Sequence, residues 1–180
     1  MEGPATRVEL EDIVIEDVYG RAADTSLESG VSVNHGAFVS ITRGLLRQHR
    51  DFGIAAFSTG TVVVLTDVEI LRTLPRACPD TSCDRGTGAA VGVFDQARVE
   101  MTDFVIESAP LCGVYLADGG EADLSRGKVV SCEIGVCLTD DGYDVSRLTN
   151  DVEYRDNGSN LDSASPPVPL PPSSGEILSP

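Results

Sequence analysis

The sequence predicts an all-β chain, a parallel β-solenoid of about six coils, and three observations support this prediction. A short motif, apolar-x-apolar-Thr/Ser/Glu-Asp/Arg, recurs at intervals of 31, 24, 36, 23 and 21 residues. Further short alternating runs follow and precede its copies, separated by Gly, Asn, Asp and Ser. The chain is 41% hydrophobic but only 5% aromatic, with no Trp, and a core of Val, Ile, Leu and Ala suits short strands better than helices.

The recurring motif is the predicted first strand of each coil. Its copies are VELED from Val8, VSITR from Val39, VVLTD from Val63, VEMTD from Val99, ADLSR from Ala122 and YDVSR from Tyr143. A second strand follows directly, as in VEI from Val68 and FVI from Phe104, and a third precedes the next copy, as in GVYLAD from Gly113. Because one coil cannot bury its own apolar face, the coils should stack at the inter-strand spacing of about 4.8 Å.

Alternation within these strands predicts the core. Apolar side chains at every second position should point inward and form stacked rows. The predicted core residues are Val31, Val63, Leu65, Val99, Val114, Leu116, Leu124 and Val136.

With this repeat length and three strands per coil, the chain resembles the right-handed parallel β-helix proteins of the pectate-lyase-like fold, over about residues 7–158. The resemblance implies a right-handed β-helix and an exported or surface protein. It implies no single activity, because this fold carries lyases, hydrolases, adhesins and inert stalks. Polygalacturonase-like hydrolases use Asn-Thr-Asp, Asp-Asp, His-Gly and Arg-Ile-Lys in that order. Here His35-Gly36 precedes Asp140-Asp141 and the other two motifs are missing, so no catalytic residues are predicted.

Composition divides the chain and limits its partners. Residues 1–160 form the predicted β-helix domain, and residues 161–180 form a Pro/Ser-rich tail or linker that is predicted to be disordered. A net charge of −16 opposes nucleic-acid binding. No apolar run is long enough for a membrane span, and association through the open solenoid ends is expected.

The five cysteines favour an extracellular or cell-surface location. Cys78 and Cys83 close the short loop CPDTSC, and Cys112 and Cys132 lie about one coil apart, so these are the candidate disulfide pairs, with Cys137 left over. Disulfides are typical of exported proteins, although no signal peptide is visible in the sequence. A reduced intracellular protein with five thiols is the alternative.

Two inserted loops, at about 16–29 and 71–89, flank the turn RQHRDF and form the candidate ligand-binding side. The candidate ligand-binding residues are Arg47, His49, Arg50, Arg72 and Arg76. Guanidinium groups bind carboxylates through paired hydrogen bonds, so the expected partner is an anionic glycan or an acidic protein segment. The alternative is that these arginines only keep the loops in contact with water and bind no ligand.

Asp95, Asp118 and Asp140 are predicted at the same corner of successive coils. We expect them mainly to accept hydrogen bonds from turn amides. A calcium site built from the three carboxylates is the alternative, and calcium is the one candidate cofactor.

These observations favour a non-catalytic secreted or cell-surface β-helix that acts as a scaffold or recognition module. The alternative is a polysaccharide-processing enzyme, a lyase or a glycoside hydrolase, or a fragment of one.

Overall fold

The computed structural model describes residues 6–19, 29–75 and 88–162, and within them the chain is all-β, with two parallel sheets of six strands. Sheet A contains, in spatial order, β1 (Arg7–Glu16), β3 (Phe38–Arg47), β5 (Val62–Leu71), β7 (Arg98–Glu107), β9 (Glu121–Val130) and β11 (Asn150–Arg155). Sheet B contains β12 (Ser159–Asp162), β10 (Ile134–Leu138), β8 (Cys112–Leu116), β6 (Ala89–Val93), β4 (Phe52–Ala56) and β2 (Ser29–Val33). The chain alternates between the sheets, as expected for stacked coils.

The predicted first and second strands of each coil are two arms of one long strand in sheet A. The arms meet at a residue with left-handed backbone, where φ lies between 49° and 56°. These residues, here called the corner column, are Asp12, Arg43, Asp67, Asp103, Arg126 and Asp151. The first five are the final Asp or Arg of the repeated motif. Asp adopts this backbone readily, whereas Arg does so at a cost of about 1–2 kcal/mol.

The main core lies between the two sheets and follows the predicted alternation. Seven of the eight predicted core residues are at most 1% exposed. The exception, Val31, is half-buried because β2 is the edge strand of sheet B and pairs with one strand among the described residues.

The last coil departs from the predicted repeat. YDVSR, predicted as a strand from Tyr143, instead runs into the 3₁₀ helix η1 (Val145–Leu148). The Asp144 carboxylate accepts hydrogen bonds from the Ser146 amide and hydroxyl at 3.1 and 2.7 Å. This local capping competes with the sheet ladder for the backbone. As a result, the residue that pairs with Ser125 in sheet A is Asn150, which lies 25 residues later in the sequence.

The C-terminal strand β12 ends at Asp162, so it includes the first two residues of the predicted tail. The remaining residues, 163–180, lie outside the described residues, as does most of each inserted loop.

Candidate functional site

The end of β3 and the turn that follows it carry three of the candidate ligand-binding residues. The two arginines among them have partners within the chain. Arg47 donates a hydrogen bond to Glu16 at 2.7 Å. Arg50 donates to the Pro75 carbonyl at 3.0 Å, and its guanidinium carbon lies 5.6 Å from the centre of the Tyr19 ring. These contacts attach the turn to the chain segments on both sides of it.

The remaining candidates on this side are not gathered into a described site. Arg72 is exposed, and its amide donates to the Glu107 carbonyl at 2.8 Å. Arg76 lies outside the described residues. The arginine-lined groove therefore stays a prediction.

His49, the third candidate in this region, is buried in the structure. Its side chain is 0% exposed, and a Cβ placed on Gly30 would lie 2.9 Å from its Nδ1. In the structure neither ring nitrogen of this described residue has a hydrogen-bond partner, and the same holds for the Oγ1 atom of Thr73. Burial lowers the pKa of the His49 imidazole, and the negative charge of Asp17 only partly opposes this. Burial therefore favours the neutral form of the ring.

We expect His49 to make the fold sensitive to acid. Because its pKa in the folded chain lies below the ordinary 6.5, the unfolded chain binds the proton first as the pH falls. The stability contributed by neutral His49 is thus present above about pH 6.5 and is lost below it. The free energy of unfolding, measured in urea, should be higher at about pH 7.5 than at about pH 5 in the wild type. In His49→Gln this difference between the two pH values should be smaller. If this difference were as large in His49→Gln as in the wild type, the prediction would be wrong.

The three aspartates of the predicted ladder lie at turns. Asp95 and Asp118 adopt left-handed backbone, with φ of 53° and 52°. The Asp140 Oδ2 atom accepts a hydrogen bond from the Gly119 amide at 2.7 Å, which is the geometry of corner capping. Across the described ranges, no group of three or more His, Cys, Asp or Glu side chains is placed to hold a metal ion.

We expect Asp140→Asn to be nearly neutral, because its amide oxygen can still accept from Gly119. Asp140→Ala leaves that amide without its acceptor and should cost about 0.5–1 kcal/mol. Thermal unfolding of both variants and of the wild type, with millimolar calcium and with chelator, separates capping from metal binding. A calcium-dependent rise in the melting temperature that disappears in Asp140→Asn would favour the metal site.

One predicted disulfide is corrected by the structure. Cys112 bonds to Cys137, with 5.9 Å between the Cα atoms, and Cys132 is a buried free thiol. Cys112 and Cys137 both belong to an apolar cluster on the outer face of sheet B, whereas Cys132 packs in the main core. The sheet therefore separates Cys132 from Cys112. The other predicted pair, Cys78 and Cys83, lies outside the described residues.

The outer face of sheet A carries ion pairs that the sequence reasoning missed. In the corner column, Arg43 donates to both carboxylate oxygens of Asp12 at 2.6 and 2.9 Å. Arg126 binds Asp103 in the same way, with both distances 2.8 Å. Each pair joins adjacent coils. The sequence signal for these ion pairs was that the last position of the repeated motif holds Asp in some copies and Arg in others.

A third ion-pair group lies beside the column and links three coils. Arg147 donates to both oxygens of Asp123 at 2.7 and 2.8 Å, and Arg98 approaches the same carboxylate at 2.8 Å. Shallow grooves of about 440 Å³ and 610 Å³ open beside Arg43 and Arg126.

A row of hydroxyl groups runs along the same face, one residue before the corner column. Strand register aligns its members, here called the hydroxyl ladder: Thr42, Thr66, Thr102 and Ser125. All four are half-buried. The hydroxyl oxygens of Thr102 and Ser125 lie 2.9 Å apart. Because the strands pair in register, the ladder repeats at about 4.8 Å.

The ion pairs make these carboxylates unsuited to general acid catalysis. A glycosidase acid has a raised pKa. Hydrogen bonds from arginine lower the pKa of Asp12, Asp103 and Asp123, and hydrogen bonds from Ser146 lower that of Asp144. Among the described carboxyl groups whose pKa departs from the ordinary value, all are shifted in this direction.

Comparison with protein-family models, with curated proteins and with solved structures finds no match for this chain. Within the described ranges, no helix has the length and apolar character needed to cross a membrane.

Proposed function

We propose that the protein is a non-catalytic recognition or scaffold module, a right-handed β-helix of the pectate-lyase-like type that works outside the cell. The proposed fold is supported by the parallel pairing of each long strand with the equivalent strand of the next coil. The Cys112–Cys137 disulfide supports an extracellular or cell-surface location, because disulfides persist in oxidising compartments.

The observation that carries the proposal is the hydroxyl ladder with the ion pairs beside it. Successive coils present hydroxyl groups at constant spacing on a face that is rigid because its strands are hydrogen-bonded on both sides. Such a face can form the same hydrogen bonds to successive units of a polymer. We infer an extended glycan that lies along the stacking direction.

The net charge of the protein indicates which class of glycan this face would bind. The chain has a net charge of −16, which repels polyanions, and Arg47 and Arg50 have partners within the chain. We therefore place the binding surface on sheet A and expect a neutral or cationic polysaccharide. The lowered pKa values of Asp12, Asp103 and Asp123 make these three carboxyls unsuited as the general acid of a glycoside hydrolase, and a polysaccharide-processing enzyme is the alternative function.

Binding is tested on immobilised neutral, cationic and anionic polysaccharides, with the soluble fraction assayed for released sugars. We expect retention by a neutral or cationic polymer without release. Thr66→Val/Thr102→Val keeps side-chain shape but removes two ladder hydroxyls, and it should weaken binding about tenfold, as for the loss of roughly 1.4 kcal/mol.

The matched control for the ladder variant is Thr59→Val. Its hydroxyl bonds Gln96 at 3.1 Å, away from the ladder, and this variant should bind like the wild type. The proposal would be contradicted if the ladder variant bound as tightly as the wild type. It would also be contradicted by retention on polyanions alone or by the release of sugar products.

A further inference from the structure

The corner column of sheet A contains the same arrangement of three residues twice. In spatial order these two sets, here called the corner triads, are Asp12, Arg43 and Asp67, followed by Asp103, Arg126 and Asp151. In both triads the arginine donates two hydrogen bonds to the aspartate of the preceding coil. The arginines lie on β3 and β9, three strand spacings apart in sheet A, so the triads repeat at about 14 Å.

The last aspartate of each triad has an available carboxylate. The described hydrogen bonds of the Arg43 side chain all go to the preceding coil. Asp67, on the following coil, is exposed and forms no ion pair with any residue that the structure describes. Asp151 is also exposed; its charge attracts Arg126, but no side chain in the described ranges donates a hydrogen bond to it. Both carboxylates can therefore accept hydrogen bonds from a ligand.

A groove with an apolar wall opens at each of these carboxylates. The first groove, of about 440 Å³, brings Asp67 together with Glu69 and with the apolar side chains of Leu45 and Val14. Val14 is 61% exposed although it is apolar. The first groove thus presents acidic and apolar surface side by side.

The second groove, of about 610 Å³, is built from the equivalent positions three coils further along. Strand register aligns Val105 with Val14 and Glu153 with Glu69, and both line the second groove with Asp151. Lys128 takes the place of Leu45, and its ammonium lies 3.6 Å from Glu153. The aliphatic part of a lysine still offers apolar surface.

The charge of the grooves favours a cation. Three carboxylates and one guanidinium line the first groove, and three carboxylates and two cationic groups line the second, so each is negative at neutral pH. A calcium ion takes about 6–8 oxygen ligands, and the described residues include no group of three or more metal-ligating side chains placed to hold an ion. An organic cation fits better, because its apolar part can pack on the groove wall while its charge meets the carboxylate.

We propose that the two grooves are equivalent subsites for the protonated amino groups of a cationic polysaccharide, and that one chain of amino sugars spans both corner triads. Each ammonium group donates hydrogen bonds to Asp67 or Asp151, and the sugar ring packs on the apolar wall beside it. The inference rests on the proposed function, because it selects the cationic polymer from the two classes expected there.

The test compares two oligosaccharides that differ in charge. Oligomers of glucosamine, at a pH where the amines are protonated, are compared by calorimetry with N-acetylglucosamine oligomers of the same linkage and length, which carry no charge. We expect the glucosamine oligomers to bind at least about tenfold more tightly, as for one charge-assisted hydrogen bond. This preference should decrease as the salt concentration rises. Affinity should also rise once the oligomer is long enough to span about 14 Å.

A pair of double variants locates the binding. Asp67→Asn/Asp151→Asn removes both available carboxylates and keeps residues that tolerate left-handed backbone. It should weaken binding of glucosamine oligomers about tenfold and leave binding of N-acetylglucosamine oligomers unchanged. The matched control is Asp95→Asn/Asp118→Asn, which removes the same charge at two left-handed residues, with φ of 53° and 52°, that line neither groove. The control should bind both oligomers like the wild type.

The outcomes separate this inference from the proposed function. Equal weakening by the two double variants would show that only overall charge matters and would overturn the subsites. Equal binding of the two oligomers by the wild type would also overturn the subsites, but it would leave glycan binding intact. The same holds if neither oligomer binds while the hydroxyl ladder retains another polysaccharide. Retention of no polysaccharide would overturn both proposals.

Discussion

Replacing Phe94 with Ala is expected to lower the free energy of unfolding by about 3–5 kcal/mol, the range for removing a buried aromatic side chain. Phe94 is 0% exposed and contacts the rings of Phe52, Phe57 and Tyr115 on the outer face of sheet B. These four rings are here called the outer aromatic cluster. The Phe94 ring also lies over Gly92, where a Cβ would sit 2.6 Å from the Phe94 ring and 2.6 Å from the Phe52 ring. The Phe94 ring thus lies directly against the backbone of sheet B. The cavity left by its truncation therefore cannot be filled unless the sheet backbone itself moves.

Urea unfolding of Phe94→Ala measures this effect, and Phe38→Ala is its matched control. Phe38 is half-buried on the outer face of sheet A, with the Arg7 guanidinium 4.1 Å from its ring centre. Its truncation should cost much less, about 1 kcal/mol, in line with an exposed cation–π contact. If both variants lost the same amount, the outer aromatic cluster would not be a second core.

Breaking the Cys112–Cys137 bond is expected to cost about 3 kcal/mol. The two cysteines are 25 residues apart, and closing a loop of this size removes unfolded-state entropy worth roughly that amount. Both cysteines are also buried in the apolar cluster on the outer face of sheet B. Cys112→Ala/Cys137→Ala should therefore unfold at lower urea concentration than the wild type, and the wild type with reductant should approach the variant.

Cys132→Ala is the control for the disulfide variant, because Cys132 is buried but forms no disulfide. Its loss should be small and should not depend on reductant. A thiol titration of unfolded, unreduced protein adds an independent check. The disulfide variant should give the same number of free thiols as the wild type, and a count lower by two would show that these cysteines were not paired.

Binary alternation was enough to predict the main core. Val63 and Leu116 could be assigned inward from the period of two alone, because parity in a strand fixes the face. The same parity predicted Asp118 at a corner, and its left-handed backbone follows from the turn. These features are local in the chain, so they are visible in the sequence.

Features that depend on distant residues were less predictable. The Cys112–Cys137 pairing requires knowing that the first position of β8 and the fourth position of β10 share the outer face, and spacing favoured Cys132 instead. His49 looked like a surface residue among arginines, but its burial against Gly30 depends on the neighbouring coil. YDVSR matched the repeat, yet the Asp144 cap changed its structure locally.

Because the chain alternates between two sheets, it advances only a short, constant distance along the stacking direction for each repeat. From Asp103 to Arg126 the chain uses 23 residues to complete one turn, yet it advances by one strand spacing of about 4.8 Å. An extended chain of that length would reach more than ten times as far. Duplicating one such segment would lengthen the two sheets by one strand spacing of about 4.8 Å and add one more residue to each row on the same face.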